Sequence, residues 1–447
     1  MNDVPLPYRG PLVSPGHGIL ARGAGRSVSR ATFVEDVRAC AHSLPDVAAA
    51  VLRPSERYRF MVELCAGLSR GLRVVVAGVA HGDGDREVTR LGGVLPVIGA
   101  ADSGVDLAAR QEVRRCVESG ATVVKALDFS RGIAELFTSG STGEPVGQLK
   151  SWANLAACAS RYVAALPIPL GAGGTIVATV PPWHMYGLEI SVLVPLLYDV
   201  ALFDGQPTYP GDIREALASV PPPRILVTTP VQLRALVGTT RDTPEVALIV
   251  SAAAPLPRIL ASKAEQVLAA PLHEVYGFTE AGIVATRRPT QTEEWTLASG
   301  MRIGGAAPDW NLAAEDFPAP VAFPDLIEPQ GRQGFRILGR SQEIVKIGGK
   351  RFSLSAIEAA FCEIPGVIDA AVLFDSAEEG REERPIALVV APTCDVSTIL
   401  DAVRQRLDPV CVPREVFLVP SLPRSGTSKL QRGELKVLLR DLREALS

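Results

Sequence analysis

Apolar positions recur along this chain with two alternating periods. From Ser55, the residues Phe60, Met61, Leu64, Cys65 and Leu68 share one helical face; the pattern stops at Gly71, and LRVVVAG then reads as a buried strand. The same alternation predicts a helix over 105–118 before the strand ATVVKAL, and a helix over 151–165 after the apolar run ending at Phe137. Further strands are expected at TIVATV (175–180), RILVTT (224–229), ALIVSAA (247–253) and HEVYG (273–277). Such an alternation predicts an α/β fold: a large N-terminal domain with mainly parallel sheets and helices. Pro318, Pro320, Pro324 and Pro329 then crowd one short span, and past Gly339 the pattern becomes that of a small α+β unit. There AAVLF and PIALVV flank the charged turn SAEEGREER as neighbouring strands, and 355–362 and 397–407 read as helices. The expected division is 1–339 and 340–447, the second part a mobile C-terminal domain.

Composition narrows this picture. At 447 residues, 47% of them apolar and 21% charged, the chain has room for large cores without a disulfide or metal staple. The longest apolar stretch, 188–203, is interrupted by Glu189 and Asp199, so no transmembrane helix is expected. A net charge of −4 without a basic block offers no footprint for nucleic acid. The seven cysteines are scattered without a CxxC or metal-ligand spacing, and MNDVPLPYRG lacks the order of a signal peptide; a reducing cytoplasm fits best.

Candidate chemistry begins at ELFTSGSTGEPVGQL, residues 135–149. Thr138, Ser139, Ser141 and Thr142 supply hydroxyl donors, and Gly140 and Gly143 let backbone N–H groups approach an anion closely. By itself such a cluster is also an ordinary surface turn, and no Gly-Lys-Ser/Thr follows to make it a Walker A loop. Four further stretches follow in order: PPWHMYG (181–187), VYGFTEAG (275–282), GRSQEIVKIGGKRFSLSAIE (339–358) and LPRSGTSKLQRGEL (422–435). The five together resemble the adenylate-forming superfamily of acyl-CoA synthetases, adenylation enzymes and luciferases, from about residue 55 onward. The resemblance implies that a carboxylic acid and ATP give an acyl-adenylate and pyrophosphate, after which a thiol takes the acyl group.

Residue by residue, the loop 138–143 is then expected to hold the β- and γ-phosphates. Glu280 resembles the family's magnesium-binding glutamate, with Thr279 beside it on the α-phosphate; alone, the pair would read as a solvated helix start. Tyr276 and Gly277 belong to the same nucleotide motif. Asp325 stands where relatives have Thr-Gly-Asp, here Phe-Pro-Asp, and one carboxylate can accept both ribose hydroxyl protons. Arg340 would reach ribose or phosphate, or else is a surface arginine at a domain border. Lys429 matches the lysine that bridges carboxylate and α-phosphate oxygens during adenylation, a role suited to a point charge on a flexible stem. Relatives continue the phosphate loop with Pro-Lys-Gly; here Val146 and Gly147 follow Pro145, and either Lys150 has taken over the pyrophosphate contact or that contact is absent. Gln342 occupies the family's hinge position, with Gly348 and Gly349 lining the thiol's approach.

The resemblance places the acid against Trp183, His184, Ser251, Ala252, Ala253, Ala254 and Gly277. No aspartate stands near His184 to pair an α-ammonium, so an uncharged tail is expected, since an unpaired buried cation is costly. His184 would contact the carboxylate or an aromatic ring, or be a structural histidine. The chain resembles short stand-alone ligases of aryl-polyene and xanthomonadin-type pigment pathways. That likeness implies an aryl acid such as a hydroxybenzoate, ATP and Mg²⁺, and an acyl carrier protein as acceptor. A fatty or short-chain acyl-CoA synthetase using coenzyme A shares every motif, and a non-catalytic nucleotide-binding protein is the alternative of another class.

Overall fold

In the computed structural model, the described residues are 13, 18–23, 25–52, 56–76, 97–98, 132–138, 146–239, 242–340, 344–347, 350–374, 385–424, 430 and 432–446. The expected elements at 105–118 and ATVVKAL lie outside them, as do the loop residues 139–145, Gln342, Gly348, Gly349 and Lys429.

After β1 (Ile19–Gly23), β2 (Arg26–Ser29) and the helix α1 (Arg30–Ser43), the chain builds a five-stranded sheet. Its strands are β3 (Ala49–Leu52), β4 (Arg73–Val76), β5 (Val97–Ile98), β6 (Gly132–Thr138) and β7 (Val146–Ser151), in the order β5-β3-β4-β6-β7. Helix α2 (Arg57–Ser69) joins β3 to β4, as the apolar face from Phe60 to Leu68 predicts. Only the β6–β7 pair is antiparallel; it closes with Thr138 opposite Val146, so residues 139–145 connect two hairpin strands. Helix α3 (Trp152–Ala165) follows at once, its N-terminus held by a reciprocal Ser151–Asn154 capping box.

The second sheet has eleven strands. Its parallel part runs β12 (Leu272–Phe278), β11 (Leu248–Ser251), β10 (Arg224–Thr228), β8 (Thr175–Ala178), β9 (Ala201–Phe203) and β1. The central strands β8, β10 and β11 are buried on both faces and read as near-continuous apolar runs. Ile176, Ile225, Leu248 and Val250 face a core shared with α2, α3 and the five-stranded sheet. Val177, Leu226, Ile249 and Leu272 face the helices Pro210–Ala218, Pro230–Val237 and Arg258–Leu268.

Beyond β12 the sheet turns antiparallel, through β13 (Gly282–Arg287), β14 (Trp295–Leu297), then β19 (Gly334–Arg340) and β18 (Asp325–Gln330). The sheet is therefore mixed, parallel where helical crossovers connect strands and antiparallel where short hairpins do. A small meander of β15 (Arg302–Ala306), β16 (Asp309–Ala313) and β17 (Val321–Ala322) lies between β14 and β18 in the chain. After β19, the two-stranded sheet β20 (Ile344–Ile347) and β21 (Lys350–Ser353) precedes helix Leu354–Cys362. Last comes a three-stranded sheet of β22 (Asp369–Phe374), β23 (Pro385–Val390) and β24 (Glu415–Leu418), covered by helices Val396–Arg404 and Arg432–Leu446. AAVLF and PIALVV pair as antiparallel neighbours, as their sequence predicts.

From β8 the chain crosses to β9 on one side and returns to β10 on the other. A crevice opens at the carboxyl ends of strands where the order reverses in this way, the usual ligand position in an open α/β sheet.

Candidate active site

One edge of the large sheet collects the predicted acid-site residues. Beyond β8 the chain passes Trp183 and His184 into a helix that begins as Met185–Leu188, loosens to a π-helix over Glu189–Leu193, and ends as Val194–Leu197. Single π turns inside helices recur at functional positions. Gly187 is obligatory: a Cβ there would lie 1.9 Å from the Pro181 carbonyl oxygen. Trp183 is half-buried with its ring 6.5 Å from that of Phe60, and the His184 backbone N–H donates to Pro181 O at 3.3 Å.

Neighbouring strand ends are tied together by neutral groups. Tyr186 Oη donates to Val250 O (3.0 Å) and Thr228 O (3.3 Å), and Thr179 Oγ1 donates to Gln232 Oε1 (2.6 Å). Ser251 closes β11 fully buried, its Oγ without a hydrogen-bond partner among the described residues. Two residues on, Ala253 adopts φ +74°, a left-handed conformation that costs a non-glycine residue energy and clusters at binding sites. Below this edge, Arg57 is fully buried and donates to Ala178 O (3.0 Å), Val180 O (2.8 Å) and the Ser191 hydroxyl. Burial brings its pKa down to about 10, the Asp204 carboxylate opposing the shift. Tyr186, Thr228 and Gln232 lie in the segments 183–188 and 228–233 that the resemblance sets near the acid, though only the fold shows where their side chains go; Arg57 belongs to no such segment.

The nucleotide motif forms the hairpin of β12 and β13. Thr279 and Glu280 stand in its turn, closed by Ala281 N donating to Phe278 O at 3.0 Å, and so do not start a helix. A Cβ on Gly277 would come within 2.4 Å of Gly282 O, and Gly282 itself has φ +75°. Tyr276 Oη donates to Asp325 Oδ2 at 2.6 Å, joining two predicted nucleotide residues 49 positions apart, while its ring packs edge-on to Phe335 and tilted against Trp295. Asp325 lies opposite Arg340 in the β18–β19 register; the side chains of Arg340 and Thr138 lie outside the described set.

Lys150 is 7% exposed, and its Nζ donates to the Glu280 carbonyl oxygen. It thereby links the hairpin that carries the loop 139–145 to the hairpin that carries Glu280. Burial draws its pKa below the usual lysine range, countered by nearby groups that include Glu189, Glu280 and Asp316. Glu189 lies fully buried close by, and burial pushes its carboxyl up to about 7 against the pull of Cys158, Lys150, Tyr162 and the Ile283 amide. Beside them Arg161 and Asp316 form a bidentate pair, both side chains inaccessible. Glu189 and Asp316 were missed because a carboxylate inside an apolar run, or after a loop, carries no motif.

Two successive family models match the chain: "AMP-binding enzyme" over residues 108–316 and "AMP-binding enzyme C-terminal domain" over 356–429. Together they span more than half of it, and the chain belongs to the adenylate-forming superfamily. It is similar to a 4-coumarate–CoA ligase of Halorhodospira halophila, 27% identical over 71% of this chain and 80% of the relative. It is also similar to one of Rhodobacter capsulatus, 30% identical over 52% of this chain; there it spans only 57% of the relative's length. Among solved structures, the anthranilate CoA ligase AuaEII in complex with anthranoyl-AMP superposes with TM-score 0.80 at 16% identity, over 98% of both chains, a likeness of fold. Among the described residues, no helix is long and apolar enough to cross a membrane.

Proposed function

We propose that this protein joins a carboxylic acid to ATP, releases pyrophosphate, and passes the acyl group from the adenylate to a thiol. The observation that carries this reading is the placing of the predicted acid segment 181–188, the 251–254 strand end and the Thr279–Glu280 turn along one edge of one sheet. That edge supplies what attack on an α-phosphorus needs: a floor for the acid, and donors and a carboxylate beside it. Asp325, already held by Tyr276, is oriented to accept ribose hydroxyl protons, with Arg340 opposite it in register.

Among the described residues no cluster of three or more His, Cys, Asp or Glu side chains forms a dedicated metal cage. A lone half-buried carboxylate at the Glu280 turn fits Mg²⁺ that arrives with the nucleotide and takes its other ligands from phosphates and water. When bound, that ion neutralises phosphate charge. Thr279 contributes a hydroxyl to the α-phosphate, and residues 138–143 hold the β- and γ-phosphates.

Lys429 serves adenylation. The C-terminal part from residue 340 turns about Gln342, so that Gly348 and Gly349 admit the thiol in the second half-reaction. Lys429→Ala should abolish pyrophosphate release while leaving thioester formation from a supplied acyl-adenylate nearly intact; equal loss in both assays would remove this division of labour.

The acid is an uncharged-tail, aryl type such as a hydroxybenzoate. Glu189, the only carboxylate in 181–190, is buried beneath the 280–283 turn, which leaves no countercharge in that segment for an α-ammonium. Small residues at Ala252–Ala254 leave room for a flat ring, and the similar ligases named for 4-coumarate support an aryl substrate. The acceptor is the phosphopantetheine thiol of a carrier protein or of coenzyme A; the relatives' names favour coenzyme A. ATP–pyrophosphate exchange over 3- and 4-hydroxybenzoate, cinnamates, octanoate and palmitate tests the reading, followed by thioester detection with coenzyme A and holo-carrier protein in parallel. Absence of exchange with every acid would end the proposal, and a tenfold lead for palmitate, about 1.4 kcal/mol, would end the aryl assignment.

A further inference from the structure

Consecutive residues of the β12–β13 turn meet polar groups from below. Glu280 O accepts from Lys150 Nζ, and Ala281 O lies 4.0 Å from the donating Cys158 thiol. A Cβ on Gly282 would fall 2.2 Å from Glu189 Oε1 and 2.5 Å from Cys158 Sγ, so only glycine lets the turn settle here. Glu189 Oε1, which has no hydrogen-bond partner among the described residues, thus lies directly against the turn at Gly282. The groups come from three elements: Lys150 from the β7–α3 junction fixed by the Ser151 cap, Cys158 from α3, and Glu189 from the first position of the π-helix.

Burying a lysine and a glutamate is a poor route to stability, since an apolar pair of equal volume is often as good or better. What an apolar pair lacks is direction. Lys150 is placed to aim a donor at one carbonyl, the carbonyl of the residue whose side chain is read above as the metal ligand.

We propose that Lys150 and Glu189 are positioning residues that hold the 280–283 turn from beneath and thereby aim the Glu280 carboxylate, with Lys150 acting on the backbone and not on phosphate. The proposal deepens the functional reading and rests on it for the role of Glu280.

The test is hydrogen exchange of the turn amides in nucleotide-free protein, joined to a Mg²⁺ titration of ATP–pyrophosphate exchange. Lys150→Met should speed exchange at Gly282 and Ile283 by about tenfold or more while β10 and β11 stay protected, and should raise the half-saturating Mg²⁺ by about tenfold with the KM for acid unchanged. Lys150→Arg, which keeps a donor, should recover most of both. Unchanged amide exchange in Lys150→Met overturns the proposal. So does weakened pyrophosphate binding with unchanged amide exchange, because the lysine would then be touching phosphate. If Lys150→Met does not fold, the double variant Lys150→Met/Glu189→Leu leaves no uncompensated buried charge; faster turn exchange there supports the proposal and wild-type exchange overturns it. Wild-type protein inactive with every acid would sink the functional reading, while the amide measurement would still decide the positioning claim.

Discussion

The acid-facing end of the parallel strands and the β12–β13 hairpin share one sheet, yet they are secured in opposite ways. The first is tied from strand to strand by uncharged groups, Tyr186 to two carbonyls and Thr179 to Gln232, with the buried Arg57 guanidinium bracing the end of β8 from below. The second sits on ionisable groups, Lys150, Glu189 and the Arg161–Asp316 pair, all nearly inaccessible. Loss of one neutral hydrogen bond costs about 0.5–1.5 kcal/mol, whereas stripping one member from a buried charged set costs about 3–5 kcal/mol, because the other is left uncompensated. A floor whose strand ends are joined by neutral groups tolerates variation in the acid it carries. A charged cradle holds one geometry and fails abruptly, as befits a turn that must meet a metal and a phosphate.

Three measurements sharpen this contrast, beginning with the largest effect. Glu280→Gln should lower ATP–pyrophosphate exchange by about a thousandfold, the several kcal/mol of a lost metal contact, with the fold intact by circular dichroism. A loss under tenfold would mean that the hairpin does not carry the metal ligand. Tyr186→Phe should cost about 1 kcal/mol of stability and raise the KM for acid a few-fold while sparing that for ATP. Equal changes in both constants would blur the division between the two regions.

The smallest effect concerns pH. Burial raises the Glu189 carboxyl from 4.5 to about 7, so the folded protein holds this proton more tightly than the unfolded chain. Its contribution to stability is therefore complete below pH about 4.5 and is lost as pH rises through about 7. Lys150 from β7, and Cys158, Arg161 and Tyr162 from α3, are the ionisable groups within its field. Denaturant midpoints of Glu189→Gln against wild type should converge at low pH and diverge in favour of the variant across that window. Parallel profiles would show that the carboxyl does not titrate there.

Much of the fold was legible from pattern. Continuous apolar runs marked β8, β10 and β11 because strands covered on both faces have no polar side to betray a register. The helix expected over 151–165 runs from Trp152 to Ala165, with Ser151 as the N-cap whose reciprocal bond with Asn154 starts it locally. The antiparallel half was harder to read: a strand's partner depends on which hairpin closes beside it, and short segments such as Trp295–Leu297 carry little period of their own.

The candidate site divides along the same line. Residue types and the order of the five motifs are properties of the chain alone, and so is membership of the superfamily, because each phosphate, ribose or carboxylate contact demands particular chemistry at a particular spacing. Direction is different. In β7, Leu149 is 51% exposed and Lys150 is 7% exposed, the reverse of what their polarity predicts. Glu189, which interrupts an apolar run as a solvated charge would, is 2% exposed under the turn that carries Glu280. Strand register and the packing of α3 and the π-helix against a hairpin roughly 90 to 130 residues downstream decided both. A side chain's surroundings are set by segments that meet only after folding, and a buried charge persists only where those segments bring its partners.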